Sequence, residues 1–354
     1  MSGSKVYFCR VQPQENFKSL GEKLLRLVEA SGLFNKIKDK SLIALKVHFG
    51  EDKCTTFIKP PIFQKLAQEL KRKNYVSLVE TNTLYYGRRM FAPGHIELAH
   101  QHGFGKLGLP IIIMDGLRGE YSFGLEAGLN HFKSLSLAGM LPHWDWMIFL
   151  SHLKGHMLSG FGGSLKNMGM GCASKEGKIK QHCLISPSIN DKKCQRCRIC
   201  IKICPAGAIK EDEGRLYIDS SLCTGCAQCL AYCRFKAIKI NWSEDTSIFQ
   251  ERLIEYAWGV KKVLKNSFYV NFLLSITKEC DCMSKEEKGV IPDIGIMASF
   301  DPLALDKASV DMINKESGKD LFRELYPEVD YKIQWDYAQQ LGIGNLTYHI
   351  DEIS

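Results

Sequence analysis

Runs of mainly apolar residues alternate along most of this chain with segments whose apolar positions recur every three or four residues. KVYFCRV (5–11), SLIALKVHF (41–49), YVSLVE (75–80), PIIIMD (110–115), DWMIFLSHL (145–153), FYVNFLLSI (268–276) and DIGIMASF (293–300) read as strands. ENFKSLGEKLLRLVEASG (15–32), PIFQKLAQELKRKN (61–74) and GHIELAHQHGF (94–104) read as helices between them. DPLALDKASVDMIN (301–314) adds a helix that Asp301 can cap and Pro302 can begin. The remainder predicts a helical finish and a last strand within NLTYHIDEI. LPHWDWM (141–147) supplies buried aromatics. This alternation predicts an α/β fold with a largely parallel sheet and flanking helices.

Between residues 184 and 241 the periodicity stops and cysteines take over, and it resumes after Glu244. The expected organisation is a discontinuous α/β domain, 1–183 and 242–354, with the cysteine module 184–241 inserted into it or docked on it. A length of 354 residues agrees with two such units. The first residues lack the apolar stretch of a signal peptide, and WDWMIFLSHL is too short to span a bilayer, so a soluble cytoplasmic protein is expected. In that setting fourteen cysteines, many clustered in threes and fours, are thiols or metal ligands rather than disulfides.

Two copies of one spacing fill the module. Cys194, Cys197, Cys200 and Cys204 are followed by Cys223, Cys226, Cys229 and Cys233, each set separated by two, two and three residues. The echo continues from CPAGAIK (204–210) to CRFKAIK (233–239). Zinc could use four such thiolates but has no need of the repeat. The duplicated pattern resembles the bacterial ferredoxin family that binds two four-iron clusters. That resemblance implies one [4Fe-4S] cluster on Cys194, Cys197, Cys200 and Cys233, and a second on Cys223, Cys226, Cys229 and Cys204. The sequence departs from the family at Arg234, where proline is usual, and crowds the first repeat with Lys192, Lys193, Arg196, Arg198 and Lys202. Bases close to a cluster would raise its potential. The formal net charge of +8 hints at an acidic partner. Each cluster with its thiolates carries about −2, which lowers the chain to roughly +4. With no long basic run and no aromatic-basic motif, nucleic acid is not expected as a partner.

A second resemblance covers most of residues 5–315. ALKVHFGE (44–51), ETNTLYYGRR (80–89), GFGGSLKNMGMG (160–171), CDC (280–282) and PDIGIMASFDPLALDKASVDMI (292–313) look like the family called domain of unknown function 362. Its members often carry a ferredoxin-type insertion here, and the label implies an iron–sulfur protein with no settled reaction.

The chemistry therefore has to come from residues. Ligands of parallel α/β sheets bind outside the carboxyl ends of strands. Those ends carry Lys46, His48 and Glu51, then Glu80, Asn82 and Thr83, then Asp115, then His152, Lys154 and His156, then Asp301. If the strands are parallel, these groups converge on one rim. Lys46 and His48 are the candidate proton donors.

Residues 159–178 pack six glycines around Lys166 and Asn167. No Walker or dinucleotide fingerprint is present there. The stretch reads either as an anion cradle built from Gly162, Gly163, Ser164, Lys166 and Asn167, or as a turn packed against the cysteine module with Lys166 in solvent. Cys9 and Cys54 sit in or beside apolar runs as buried thiols. Cys280 and Cys282, with Cys172 and Cys183, could form an extra metal or redox site. Glu211 and Asp212 are expected to be solvated.

Two functions follow. In the first, electrons pass through two clusters to a small anionic substrate or organic cofactor on the rim, a flavin being neither demanded nor forbidden. In the second, the chain is a non-catalytic carrier or assembly subunit docking to a redox partner protein. Exposed four-iron clusters suit a low-oxygen host.

Overall fold

The computed structural model describes residues 3–12, 14–183, 186–241 and 245–354. The apolar runs become the central sheet: β1 (Ser4–Arg10), β2 (Leu42–Val47), β3 (Tyr75–Glu80), β4 (Ile111–Ile113), β5 (Trp146–His152), β6 (Ser267–Leu273), β7 (Gly295–Ser299) and β8 (Tyr348–Glu352). Across the sheet they lie in the order β8-β1-β7-β6-β5-β2-β3-β4. All pairings are parallel except the two made by β7. The mixed α/β fold with a mostly parallel sheet is thus as expected.

Both faces of the sheet are covered, which is why the strands read as near-continuous apolar runs rather than alternating ones. Ile43, Leu45 and Val47 of β2 join Ile148 and Leu150 of β5 in one core. On that face pack α1 (Phe17–Ala30), α2 (Gln64–Lys71) and α3 (Ala92–Gln101). Ala44, Met147, Phe149 and Tyr269 face the other way. There they meet α4 (Ser164–Gly169), α6 (Thr246–Val263) and α7 (Pro302–Ser317), while α5 (Lys175–His182) leads toward the cysteine module. Asp301 caps α7 by accepting from the amides of Leu303 and Ala304, both at 3.0 Å, with Pro302 at the first helical position.

The reversed strand corrects one expectation. Because β7 runs against its neighbours, Asp301 just beyond it lies at the opposite end of the sheet from the other strand-end groups. It binds the hydroxyl of Ser4, at the start of β1, at 2.7 Å. Its role is structural. The segment between β4 and β5 also forms an antiparallel hairpin, Ser122–Glu126 with Ser134–Ala138. The alternation in SFGLE and SLSLA is its sequence signal.

In the cysteine module, Ser188–Ile189 pairs with Ile238–Lys239 and Ile209–Asp212 pairs with Arg215–Ile218. Two short helices, Ile199–Ile203 and Gln228–Tyr232, follow corresponding points of the repeat. The module rests on the larger body through an apolar seam of Leu84, Met90, Ile179, Leu230 and Ile238. The expected boundaries at 184 and 242 lie outside the described residues.

Helix α4 approaches α6 so closely that a methyl group at Gly169 would collide with the Leu253 carbonyl oxygen. Gly169→Ala is expected to cost about 1–3 kcal/mol, read as a lower thermal midpoint. An unchanged midpoint would mean that this helix contact is looser than described.

Candidate functional site

The carboxyl ends of β2, β3 and β5 and the chain leaving β6 meet at one rim, where the surrounding loops enclose a cavity of about 920 Å³. That volume suits a cofactor-sized molecule. Beneath the cavity, single polar residues interrupt the apolar strands: Lys46 in β2, Ser151 in β5 and Asn271 in β6. Asn167 of α4 ties two of them together, accepting from Lys46 Nζ at 3.0 Å and donating to Ser151 Oγ at 3.0 Å.

A buried ionic network holds the first wall. Lys46 Nζ lies 2.8 Å from Glu80 Oε1, and Arg89 reaches Glu80 at 3.7 Å and Glu51 at 3.3 Å. Burial alone would raise the Glu80 carboxyl, but Lys46 and Arg89 hold it well below the usual carboxylate range. Arg89 also places Nη1 2.7 Å from His48 Nε2 and Nε 2.9 Å from His95 Nε2. A guanidinium only donates, so both imidazoles accept. Burial, reinforced by Arg89, keeps His48 neutral. His48, a candidate proton donor in the sequence, is therefore placed here as an acceptor. Lys46 lies fully buried and points its ammonium at Glu80 and Asn167.

The second wall is organised by Asp281. Its carboxylate takes Lys154 at 2.6 Å, His152 at 2.9 Å and the Cys54 thiol at 3.2 Å. Burial opposes the ionised form, yet His152 and Lys154 hold it well below the ordinary aspartate value. Lys178 crosses from α5 to bind Thr81 Oγ1 at 2.5 Å and the carbonyls of Asn82 at 2.8 Å and Ala173 at 3.0 Å. Behind it Asn82 donates to Asp115 at 2.9 Å, and burial pushes the Asp115 carboxyl up to about 6.

The glycine-rich stretch meets a carboxylate of its own chain. Asp306 of α7 accepts from the amides of Ser164 at 2.8 Å and Leu165 at 2.9 Å, and from Asn271 Nδ2 at 2.7 Å. A side chain at Gly163 would strike Asp306 at 2.5 Å, and one at Gly162 would strike Lys166 at 2.7 Å. Of the amides expected to cradle an incoming anion, that of Ser164 is thus already occupied, and the Ser164 hydroxyl is turned inward to Asn271 at 2.8 Å. Lys166 is neither in solvent nor over those amides. Its Nζ lies 3.3 Å from Cys280 Sγ on the cavity wall, with Gly162, Gly163, Asn167 and Cys282 nearby on the same lining.

The module's two halves share a backbone pattern that apolar packing does not require. Arg196, Arg198 and Gly207 correspond to Gly225, Ala227 and Lys236, and all six have left-handed φ between 51° and 71°. Such turns aim successive amides into one concavity, as in many iron–sulfur and anion sites. Ala208 N donates to Cys204 Sγ at 3.2 Å and Ala237 N to Cys233 Sγ at 3.3 Å, the same bond in each repeat. A small cleft is lined by Cys194, Cys197, Cys200 and, from the other repeat, Cys233. Among the described residues no three ligating side chains converge as for a single ion. A cubane carries its irons at separate corners, so its four thiolates need not meet at a point. The donor set, thiolates from both repeats around one cleft with left-handed turns aimed inward, fits an iron–sulfur cluster.

The remaining candidates separate. Cys172 lies in the core against Met147, its thiol pushed up to about 12 by burial. Cys183 borders the module seam. Neither lines the cavity with Cys280 and Cys282, so the wider four-cysteine site does not form. Cys9 and Cys54 are buried. Glu211 and Asp212 are exposed, as expected, and Glu211 meets Arg198 at the surface through two contacts of 2.8 Å. Sequence reasoning assigned no role to Arg89, Lys178, Asn271 or Asp306. An isolated polar residue inside an apolar run was the available signal for Asn271; nothing comparable marks Arg89.

Glu80→Gln leaves Lys46 and Arg89 facing each other without the carboxylate between them, an expected loss of about 3–5 kcal/mol. The Glu80 contribution is present above its unfolded value near 4.5 and fades as pH falls toward its depressed folded value. Thermal midpoints across pH should show the wild type losing more stability than the variant on acidification. Parallel curves would overturn this account of the network.

The chain is 43% identical over 53 residues to the pyruvate synthase subunit PorD of Methanocaldococcus jannaschii, covering 15% of this chain and 62% of that protein. It is 47% identical over 48 residues to a subunit of the ion-translocating oxidoreductase complex of Methanosarcina acetivorans, covering 14% and 18%. Each of these two matches spans less than two thirds of the relative's length. Among solved structures, the lactate racemase apoprotein from Thermoanaerobacterium thermosaccharolyticum aligns with a TM-score of 0.45 at 9% identity, over 89% of this chain and 58% of that one. The family model described as Domain of unknown function (DUF362) matches residues 43–311, and this chain belongs to that family.

Proposed function

We propose that this protein is an iron–sulfur redox protein whose module, about 184–241, holds two [4Fe-4S] clusters and exchanges electrons with a substrate or organic cofactor in the rim cavity. One observation carries the reading. Tyr86 lines the cavity and also packs in the seam that contains Cys229 and Cys233, so a single side chain separates the sulfur sites from the ligand space. Its hydroxyl is fixed to the Ile238 carbonyl at 3.2 Å. The similarity to oxidoreductase subunits supports the same direction.

Cys194, Cys197, Cys200 and Cys233 would hold one cluster, and Cys223, Cys226, Cys229 and Cys204 the other. When bound, the clusters would supply one-electron transfer. The chain's own residues do the rest. The amides of Ala208 and Ala237 stabilise thiolate charge on Cys204 and Cys233. On the cavity lining Arg88, Arg89 and Lys154 are paired with carboxylates, so Lys166 and Lys178 are the charges that would favour an anionic ligand. A second reading, a carrier docking to a partner redox protein, is favoured by Tyr232 and Phe235. They line the cleft of Cys194 and Cys233 yet are 38% and 42% exposed.

Anaerobic purification should give about eight irons and eight sulfides per chain, and Cys233→Ala should remove about half. Iron-free protein would overturn the proposal. An organic molecule released on denaturation, lost in Lys166→Ala with cluster absorbance retained, is the outcome expected of a rim-bound ligand. An empty cavity with full iron would favour the docking carrier instead.

A further inference from the structure

The segment from Leu274 to Ile294 leaves β6 and returns to β7, carrying Cys280-Asp281-Cys282 onto the cavity wall. Neither thiol belongs to the eight in the module. Alternate residues of this triplet point to different surroundings. Asp281 is turned into the protein, locked to Lys154, His152 and Cys54, and its carbonyl accepts from Glu51 N at 3.1 Å. The flanking cysteines are left facing the ligand space, partly exposed. A bond from Met283 N to the Cys280 carbonyl at 2.9 Å closes a turn around the pair.

We infer that Cys280 and Cys282 form a redox-active dithiol, with Cys280 the attacking thiolate and Cys282 the resolving thiol, whose co-substrate is a small disulfide entering the cavity. Three observations carry this. The Lys166 ammonium lies 3.3 Å from Cys280 Sγ and is fixed in the wall beside Gly162, so one sulfur is selected for negative charge. The neighbouring Cys282 thiol, ahead of Lys166, holds the Cys280 thiol well below its ordinary value, while Cys280 and burial push that of Cys282 well above it. No third ligating side chain is grouped with them among the described residues.

The chemistry balances within these groups. The Cys280 thiolate attacks one sulfur of the disulfide, forming a mixed disulfide and expelling the other half as a thiolate. Cys282, losing its proton to that leaving thiolate, then attacks Cys280 and expels the second half as a thiolate. One electron pair has moved from the protein dithiol to the substrate, leaving a Cys280–Cys282 disulfide. This deepens the proposed function, on which it rests for the source of electrons: a pair of one-electron centres holds as many electrons as the couple exchanges.

The test uses the full chain purified anaerobically. At pH 6, iodoacetamide should label Cys280 at least about tenfold faster than free cysteine, and Lys166→Met should remove most of that advantage. Incubation with glutathione disulfide, denaturing alkylation and peptide mass spectrometry should then find 280 and 282 joined in one peptide, and both alkylated after reduction. Cys282→Ser should instead trap a glutathione mixed disulfide on Cys280. Thiols at 280 and 282 that stay free at every ratio of oxidised to reduced glutathione, or labelling of Cys280 no faster than free cysteine, would overturn the inference. Iron counted in the same samples separates the two ideas. A disulfide forming in iron-free protein would remove the proposed electron source while leaving the dithiol standing; iron-replete protein without the disulfide would remove the dithiol alone.

Discussion

A chain that buries ammonium and guanidinium groups at the end of a sheet must bury their counter-charges with them, or the sheet end cannot close. That constraint shapes this molecule. Lys46, Arg89 and Lys154 lie out of water, and each finds a carboxylate, Glu80, Glu51 or Asp281, supplied from a different part of the sequence. The loops after β2 and β3 are consequently tied by Glu51 and Arg89, and those after β5 and β6 by Lys154 and Asp281. The cavity is the space left between them.

The same requirement explains the glycine-rich stretch. A carboxylate from α7 enters a backbone turn and satisfies two amides at the start of α4, which no side chain at Gly163 would permit. Asp306 in turn fixes Asn271 and so the end of β6, from which the thiol-bearing segment departs. The loop that reads as an anion cradle also serves as a joint between two helices and the sheet. Its outward-facing member, Lys166, is thereby aimed at Cys280.

The fold was legible because both faces of the sheet are apolar and the strands therefore stand out as runs. The convergence of His48, Glu51, Glu80, His152, Lys154 and Lys166 followed from the rule about parallel strand ends. Asp301 escaped that rule because strand direction is not written in an apolar run, and DIGIMASF reads alike in either sense. Asp306 and Arg89 were illegible for another reason. Each acts on groups far away in sequence, Asp306 on residues more than a hundred positions earlier, and one sequence carries no record of such pairings. The cysteine repeat was plain from spacing, whereas its left-handed turns at Arg196, Arg198 and Lys236 defy residue preference and show only in the backbone.

The reversal of β7 has a consequence beyond the misplaced aspartate. Since β6 ends and β7 begins side by side at the same edge, the 21 residues between Leu273 and Gly295 leave and re-enter the sheet at adjacent positions. Their two feet stand about one interstrand spacing apart, roughly 5 Å. Such an excursion is a cassette: its length can change without disturbing any crossover of the scaffold, so long as Asp281 stays to neutralise Lys154. Within one architecture, descent with variation can therefore exchange what the pocket is furnished with while the surrounding framework stays unaltered.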